Sequence, residues 1–296
     1  MKILLTAAAT LLFPYIAFGQ SFRALNQQVQ QGGVLVLRVA PQWQGPQVSI
    51  AVFAKHYLPN RYGDVYIGID KSIVPGKHIA TLVEYGRGIR LSWDYEEIEV
   101  VDKNLPSRTR RPFVPNKKWE RERETIRQAF DGGDYFEKYF NGEFVRPLDR
   151  AVIDQNRTIG DESSPFGTNH NGVDLITLDP KTRRHKRPVK AINSGKIALI
   201  ARNYSTDGNM MIIDHGSGIF SVYMHLSRFL VSKVGQTVKK GDVVAMSGDT
   251  GSARTRPSCK NCGPHLHCSV KIRSKDGKSD VYVDPLAFIE TMNRIF

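Results

Sequence analysis

Six of the eight histidines, His170, His185, His215, His225, His265 and His267, fall between positions 170 and 267. Imidazole is both a common metal ligand and a group that exchanges protons near neutral pH, so such clustering points to chemistry. His265 and His267 stand two apart in Gly263-Pro264-His265-Leu266-His267-Cys268-Ser269-Val270. In a strand, that spacing puts both rings on one face and sends Leu266, Cys268 and Val270 toward a core. His170 and Asp174 flank Asn171-Gly172, a turn pair that brings an imidazole and a carboxylate together as the chain enters a strand over 173–176. Two histidines and a carboxylate are a set that catalytic zinc uses, with a fourth position kept for water. The metal makes that water acidic, and another histidine nearby can take its proton or hold the oxyanion that forms. Spacing alone does not say which histidines bind and which transfer protons.

The remaining candidates read differently. His215 lies in Asp-His-Gly, a hairpin-turn context, and reads as structural; His185 belongs to a basic stretch, 179–188, and is not assigned to a metal; His56 and His78 are isolated. Cys259-x-x-Cys262 lies close to the His-x-His run, but a closed finger would fill the position that hydrolysis needs, and His265 and His267 are too closely spaced for a second ligand pair. In an exported chain these two cysteines are expected to form a small disulfide, leaving Cys268 as a buried thiol.

The elements that must position these residues come from the rest of the chain. Of 296 residues, 41% are hydrophobic and 24% charged, with 25 Gly and 15 Pro, which suits turn-rich globular domains and excludes rods and disorder throughout. Residues 1–19 read as an export signal, with Lys2, an uncharged run over 3–13 and Ala17-Phe18-Gly19. No cysteine follows for a lipid anchor, and no later apolar run approaches the ~20 residues that cross a bilayer, so an exported, non-anchored protein is expected. Residues 20–101 alternate in short runs (33–39, 48–54, 65–70, 78–84, 98–101) separated by Pro, Gly and Asn, the pattern of a β-sandwich. Residues 102–143 read as a linker followed by a helix over 117–130, where Trp119, Ile126 and Phe130 form one apolar stripe among charges. The aromatic cluster Tyr135, Phe136, Tyr139, Phe140 and Phe144 is expected to pack at the start of the next domain. The net charge of +13 sits mostly after residue 148, which favours an anionic partner; export argues against nucleic acid and leaves lipid or cell-wall polymer.

From residue 144 onward the motifs resemble a known family. His170-Asn171-Gly172-Val173-Asp174-Leu175, Asp214-His215-Gly216-Ser217-Gly218, Tyr223-Met224-His225-Leu226-Ser227, Gly248-Asp249-Thr250-Gly251 and His265-Leu266-His267 occur in the order of the LytM/lysostaphin-type zinc metallopeptidases. The resemblance implies zinc held by His170, Asp174 and His267, with His225 and His265 as the non-ligand catalytic pair. It also implies a small antiparallel sheet with a narrow groove over 144–296, and peptide cross-links of peptidoglycan as substrate. Two stretches, 179–188 and 252–262, are longer than the pattern. The expected architecture is mainly β: an Ig-like sandwich, a linking helix and the metallopeptidase sheet. Other functions that fit are a silent wall-binding or hydrolase-activating module, and a peptidase acting on proteins outside the wall. The sandwich is expected either to cover the groove or to act as a passive spacer.

Overall fold

The computed structural model describes residues 20–86, 89–103, 115–150, 152–153, 170–177, 186–253, 263–277 and 279–296. The leader at 1–19, Cys259 and Cys262, His185 and most of the two lengthened stretches therefore lie outside the described residues.

The N-terminal part is a sandwich of two sheets. β1 (Phe22–Ala24), β3 (Val34–Val39) and β6 (Asp64–Gly68) form one; β2 (Gln28–Gln30), β8 (Ile89–Val101), β7 (Gly76–Gly86), β4 (Val48–Val52) and β5 (Lys55–Tyr57) form the other. All pairs are antiparallel except β2 with β8. Phe53 and Ala54, expected to continue a strand, instead have φ of 52° and 56° and make the tight turn between β4 and β5, a geometry whose twist suits a two-residue hairpin. Leu35, Leu37, Val65, Ile67, Ile50, Leu82 and Ile98 fill the space between the sheets.

Val34 to Leu37 are all fully buried, an apolar run without alternation, because β3 is covered on both faces. Val34 and Val36 on its second face, with Tyr66 of the neighbouring β6, join the core of the C-terminal domain alongside Phe140, Phe144, Val281 and Phe288. The aromatic cluster is thus a seam: Tyr66 meets Phe140 edge-on at 5.8 Å, and Phe144 meets Phe288 at 5.1 Å. Lys103 at the end of β8 pairs with Asp284 at 2.8 Å, tying the sandwich to the C-terminal helix.

The C-terminal domain is built on β9 (Val152–Ile153), β10 (Val173–Ile176), β12 (Gly195–Tyr204), β13 (Gly208–Asp214), β14 (Ile219–Met224), β16 (Thr237–Val238), β18 (His265–Arg273) and β19 (Asp280–Val283), an antiparallel sheet ordered β16-β12-β13-β14-β18-β10-β9 with β19 also on β18. A smaller sheet, β11 (Pro188–Lys190), β17 (Val243–Ser247) and β15 (Leu226–Phe229), and α2 (Pro285–Ile295) pack on one face, where Leu266, Cys268, Val270 and Ile272 point. The sandwich docks on that same side. It therefore does not cover the opposite face, where His267 lies, and among the described residues none of 20–103 lines the groove there.

What lies on the histidine face is α1 (Lys117–Asp131). Asn116 caps it, its side chain accepting from the Trp119 N–H, and Ile126 and Phe130 pack on Leu199, Met210, Ile212, Phe220 and Val222 of the sheet. Within the segment expected to be linker and helix, α1 thus packs on the sheet of the C-terminal domain.

Candidate metal centre and its groove

Strand register assembles the site. In the β10–β18 pairing Asp174 stands opposite His267, and in the β14–β18 pairing His267 stands opposite Met224, so Asp174 and His267 share one face and His225 follows at the end of β14. The Asn171-Gly172 pair is not a hairpin turn: a Cβ on Gly172 would lie 2.2 Å from the Cys268 carbonyl oxygen. Only glycine lets the chain pass this close to β18, and that approach delivers His170 to the cluster.

His170 Nε2, Asp174 Oδ1 and His267 Nδ1 form a triangle with edges of 3.0–3.1 Å. All three side chains are buried. Donor atoms this close suit one small ion with bonds of about 2.0–2.2 Å, and a two-histidine, one-carboxylate set is a zinc set. The donor chemistry therefore fits zinc. The other nitrogen of His267, Nε2, donates to Ser269 Oγ at 2.9 Å, which fixes the ring with Nδ1 toward the ion.

His225 and His265 face each other beside this triangle, ring centroids 4.7 Å apart, and His225 is 6.3 Å from the His267 ring. The Thr250 carbonyl accepts from His225 Nδ1 at 2.9 Å and the Gly263 carbonyl accepts from His265 Nδ1 at 2.8 Å. Both rings thus carry the proton on Nδ1 and present Nε2 as the exchangeable nitrogen. His265 Nε2 is buried without a hydrogen bond and lies 3.5 Å from Asp174 Oδ2. His225 has φ of 63°, a left-handed backbone that a branched or bulky residue rarely adopts, and its N–H donates to the Asp207 carbonyl.

Electrostatics separate the groups. Burial pushes the Asp174 carboxyl upward, but hydrogen bonds from His170 and His267 and the charges of nearby imidazoles outweigh it, so it is held well below the usual carboxylate range and stays an anion. Burial, then repulsion from His265 and His267, drives His225 well below an ordinary histidine, so that it rests neutral. Burial similarly lowers His267. His215 stands apart: fully buried, bonded to the Ser194 carbonyl and Ser221 Oγ at 2.8 Å each, it is lowered to about 4 by burial and holds the β13–β14 turn. Cys268 is buried, and desolvation raises its thiol to about 12, so it is unreactive.

The groove around the histidines encloses about 350 Å³ and is lined by His170, His225 and His267, by Trp119, Arg123, Ile126, Arg127 and Phe130 of α1, and by Lys271 and Arg273 of β18. The α1 residues and the two β18 cations were not singled out from sequence as groove residues. The signal for Lys271 and Arg273 is nevertheless there, since the spacing of two that aligns His265 with His267 continues through Ser269 to both.

A mainly β domain thus carries a two-histidine, one-carboxylate cluster that could hold zinc, with two more histidines beside it. Residues 168–285 match Peptidase family M23, and this part of the chain is a domain of that family, of LytM/lysostaphin type. The chain is 27% identical over 205 residues to the peptidoglycan DD-endopeptidase ShyA of Vibrio cholerae, covering 65% of this chain and 43% of that protein. It is 34% identical over 131 residues to lysostaphin of Staphylococcus simulans, covering 43% of this chain and 23% of that one. It thus spans less than half the length of these curated relatives. A crystal structure of a Pseudomonas aeruginosa protein assigned to the M23 peptidases matches with a TM-score of 0.58 and 28% identity, over 90% of this chain and 97% of that one.

Proposed function

We propose that the protein is an exported zinc endopeptidase that hydrolyses peptide cross-links of bacterial peptidoglycan. The observation that carries this reading is the conjunction of the His170, Asp174 and His267 triangle with the His225 and His265 pair beside it, on a groove that His170, His225 and His267 line. The naming of ShyA and ShyB of Vibrio cholerae as peptidoglycan DD-endopeptidases supports the substrate class, and the excess of basic groups suits an anionic polymer. For the described residues, no helix is long and apolar enough to cross a membrane.

His170, Asp174 and His267 would hold the zinc, which when bound supplies a Lewis acid and an acidified water. His225 or His265 accepts a proton at Nε2, because each Nδ1 is committed to a carbonyl. Once protonated, the same Nε2–H donates, either to the oxyanion of the attacked carbonyl or to the departing amine. Asp174 stays ionised throughout, and Ser269 keeps the His267 ring from rotating. Phe130, Ile126 and Met224 keep part of the groove wall apolar beside the reacting peptide.

The test is digestion of purified cross-linked muropeptides by the zinc-loaded chain, followed by mass spectrometry. Products separated at a peptide bond, lost on chelation and restored by zinc, are expected. A protein carrying one zinc per chain that leaves every muropeptide intact would overturn the reading.

A further inference from the structure

The turn from β12 into β13, with the first residues of β13, reaches His225 from two sides. On the backbone side, the His225 N–H donates to the Asp207 carbonyl at 3.0 Å, and the Asn209 side chain donates to the Leu226 carbonyl at 3.0 Å. On the ring side, the same turn holds the loop whose Thr250 carbonyl accepts from His225 Nδ1. There the Asn209 N–H donates to Thr250 Oγ1, and the Ser252 N–H donates to the Thr206 carbonyl, each at 2.9 Å. The two segments touch backbone to backbone: a Cβ on Gly208 would lie 2.4 Å from Thr250 Oγ1 and 2.5 Å from the Thr250 carbonyl carbon. With φ of 63°, His225 keeps a left-handed backbone that its surroundings must hold. Both the direction in which its ring leaves the chain and the partner of its Nδ1 therefore depend on where this turn sits.

α1 sets the position of the turn. Beside the Glu122 bonds to Ser205, Arg123 Nη2 pairs with Asp207 Oδ2, and the other carboxylate oxygen accepts from Thr206 Oγ1 at 2.8 Å. The Asp207 side chain is only 8% exposed, so its charge is nearly out of water and relies on that guanidinium. Without the guanidinium, the turn must shift to return the carboxylate to solvent. The guanidinium carbon also lies 5.4 Å from the Trp119 ring centroid, one turn earlier on the helix, which restricts where the fork can point. Ile126 and Phe130 anchor the helix itself on the sheet. Arg123 lies ahead of the residues, 168–285, that match the family.

We propose that Arg123, through its ion pair with Asp207, is a positioning residue for the His225 imidazole, holding Nε2 where it can exchange a proton beside the metal cluster. The kinetic consequence rests on the endopeptidase reading; the structural one does not. Arg123 acts only through geometry, so its contribution belongs in kcat rather than in metal binding or KM, and it vanishes when His225 is gone.

The experiment uses the full zinc-loaded chain and a cross-linked muropeptide, with zinc content, kcat and KM measured for Arg123→Ala, Arg123→Lys, His225→Ala and the double variant of Arg123→Ala with His225→Ala. Arg123→Ala is expected to keep one zinc per chain and lose kcat by a factor on the order of 10, with KM changed by less than about twofold. Arg123→Lys should recover most of that loss, since an ammonium can still pair with Asp207. In the His225→Ala background, Arg123→Ala should cost less than about twofold more. Unchanged kcat in folded, zinc-loaded Arg123→Ala would overturn the proposal. So would the full loss recurring without His225, which marks a general loosening of the groove wall. If Arg123→Ala does not fold, Asp207→Asn, which keeps the turn's shape and removes its charge, is read in the same way. Amide hydrogen exchange followed by NMR decides the matter if no muropeptide is cut. The His225 N–H should then exchange about 10-fold faster or more in Arg123→Ala while the β18 amides stay as protected as in the wild type, and equal protection of His225 in the two proteins would overturn the proposal.

Discussion

Glu122 of α1 accepts hydrogen bonds from both the backbone N–H and the hydroxyl of Ser205, at 3.0 and 3.1 Å, across a sequence separation of more than eighty residues. The carboxylate is buried, and the turn it holds also carries Asp207, whose carbonyl accepts from the His225 N–H. One side chain thus fastens the groove wall to the segment that holds the His225 backbone.

Glu122→Ala should therefore lower stability by about 1–2 kcal/mol, because the hydrogen bonds from the Ser205 N–H and hydroxyl to a buried carboxylate are lost. Urea denaturation checks it. A loss below a few tenths of a kcal/mol would show that the wall is held by Ile126 and Phe130 alone.

For the metal, wild-type protein should retain one zinc per chain after dialysis, whereas Asp174→Ala and His267→Ala should retain close to none. Loss of one of three ligands leaves two and water, and affinity falls accordingly. Atomic absorption on folded variants decides; stoichiometric zinc in Asp174→Ala contradicts the ligand set.

His225→Ala and His265→Ala should keep the zinc and lose turnover by a factor on the order of 100 or more, since both Nε2 atoms lie outside the ligand triangle. Near-normal kcat in both variants would leave the metal as the whole of the chemistry.

Acid should weaken the fold through His215. Its folded value of about 4 lies below the ordinary 6.5, so its contribution is complete above about pH 6.5 and is lost as pH falls through 4. Asp214 acts in the opposite sense. Burial raises it to about 6, against the ordinary 3.8, so its contribution is complete below about pH 3.8 and is lost as pH rises through 6. Comparing wild type with His215→Gln by urea denaturation of metal-free protein isolates the first. The stability advantage of the wild type should narrow by up to about 3 kcal/mol between pH 7 and pH 4. A gap that stays constant over that range would show that the ring is charged in the folded state.

The metal cluster was legible in the sequence because its parts are local: a spacing of two in His265-Leu266-His267 fixes a face, and His170 with Asp174 sits on a four-residue segment. The groove wall was not, because Trp119, Ile126 and Phe130 give the same stripe whether a helix covers a core or a substrate path. Only the register of β12 to β14 shows that the sheet face under α1 is the face of His267. Nor did alternation reveal the docking of the sandwich. Its trace was the opposite signal, the unbroken apolar run Val34 to Leu37, which marks a strand with two covered faces.

The seam through Val34, Val36, Tyr66, Phe140 and Phe144 has a thermodynamic consequence. Two regions that share one continuous apolar cluster cannot lose their packing separately without exposing each other's interior, so heat should melt them together in a single calorimetric transition. It also means that the C-terminal half, parted from the sandwich, should expose the apolar side of Phe140, Phe144 and Val281 and aggregate more readily than the full chain.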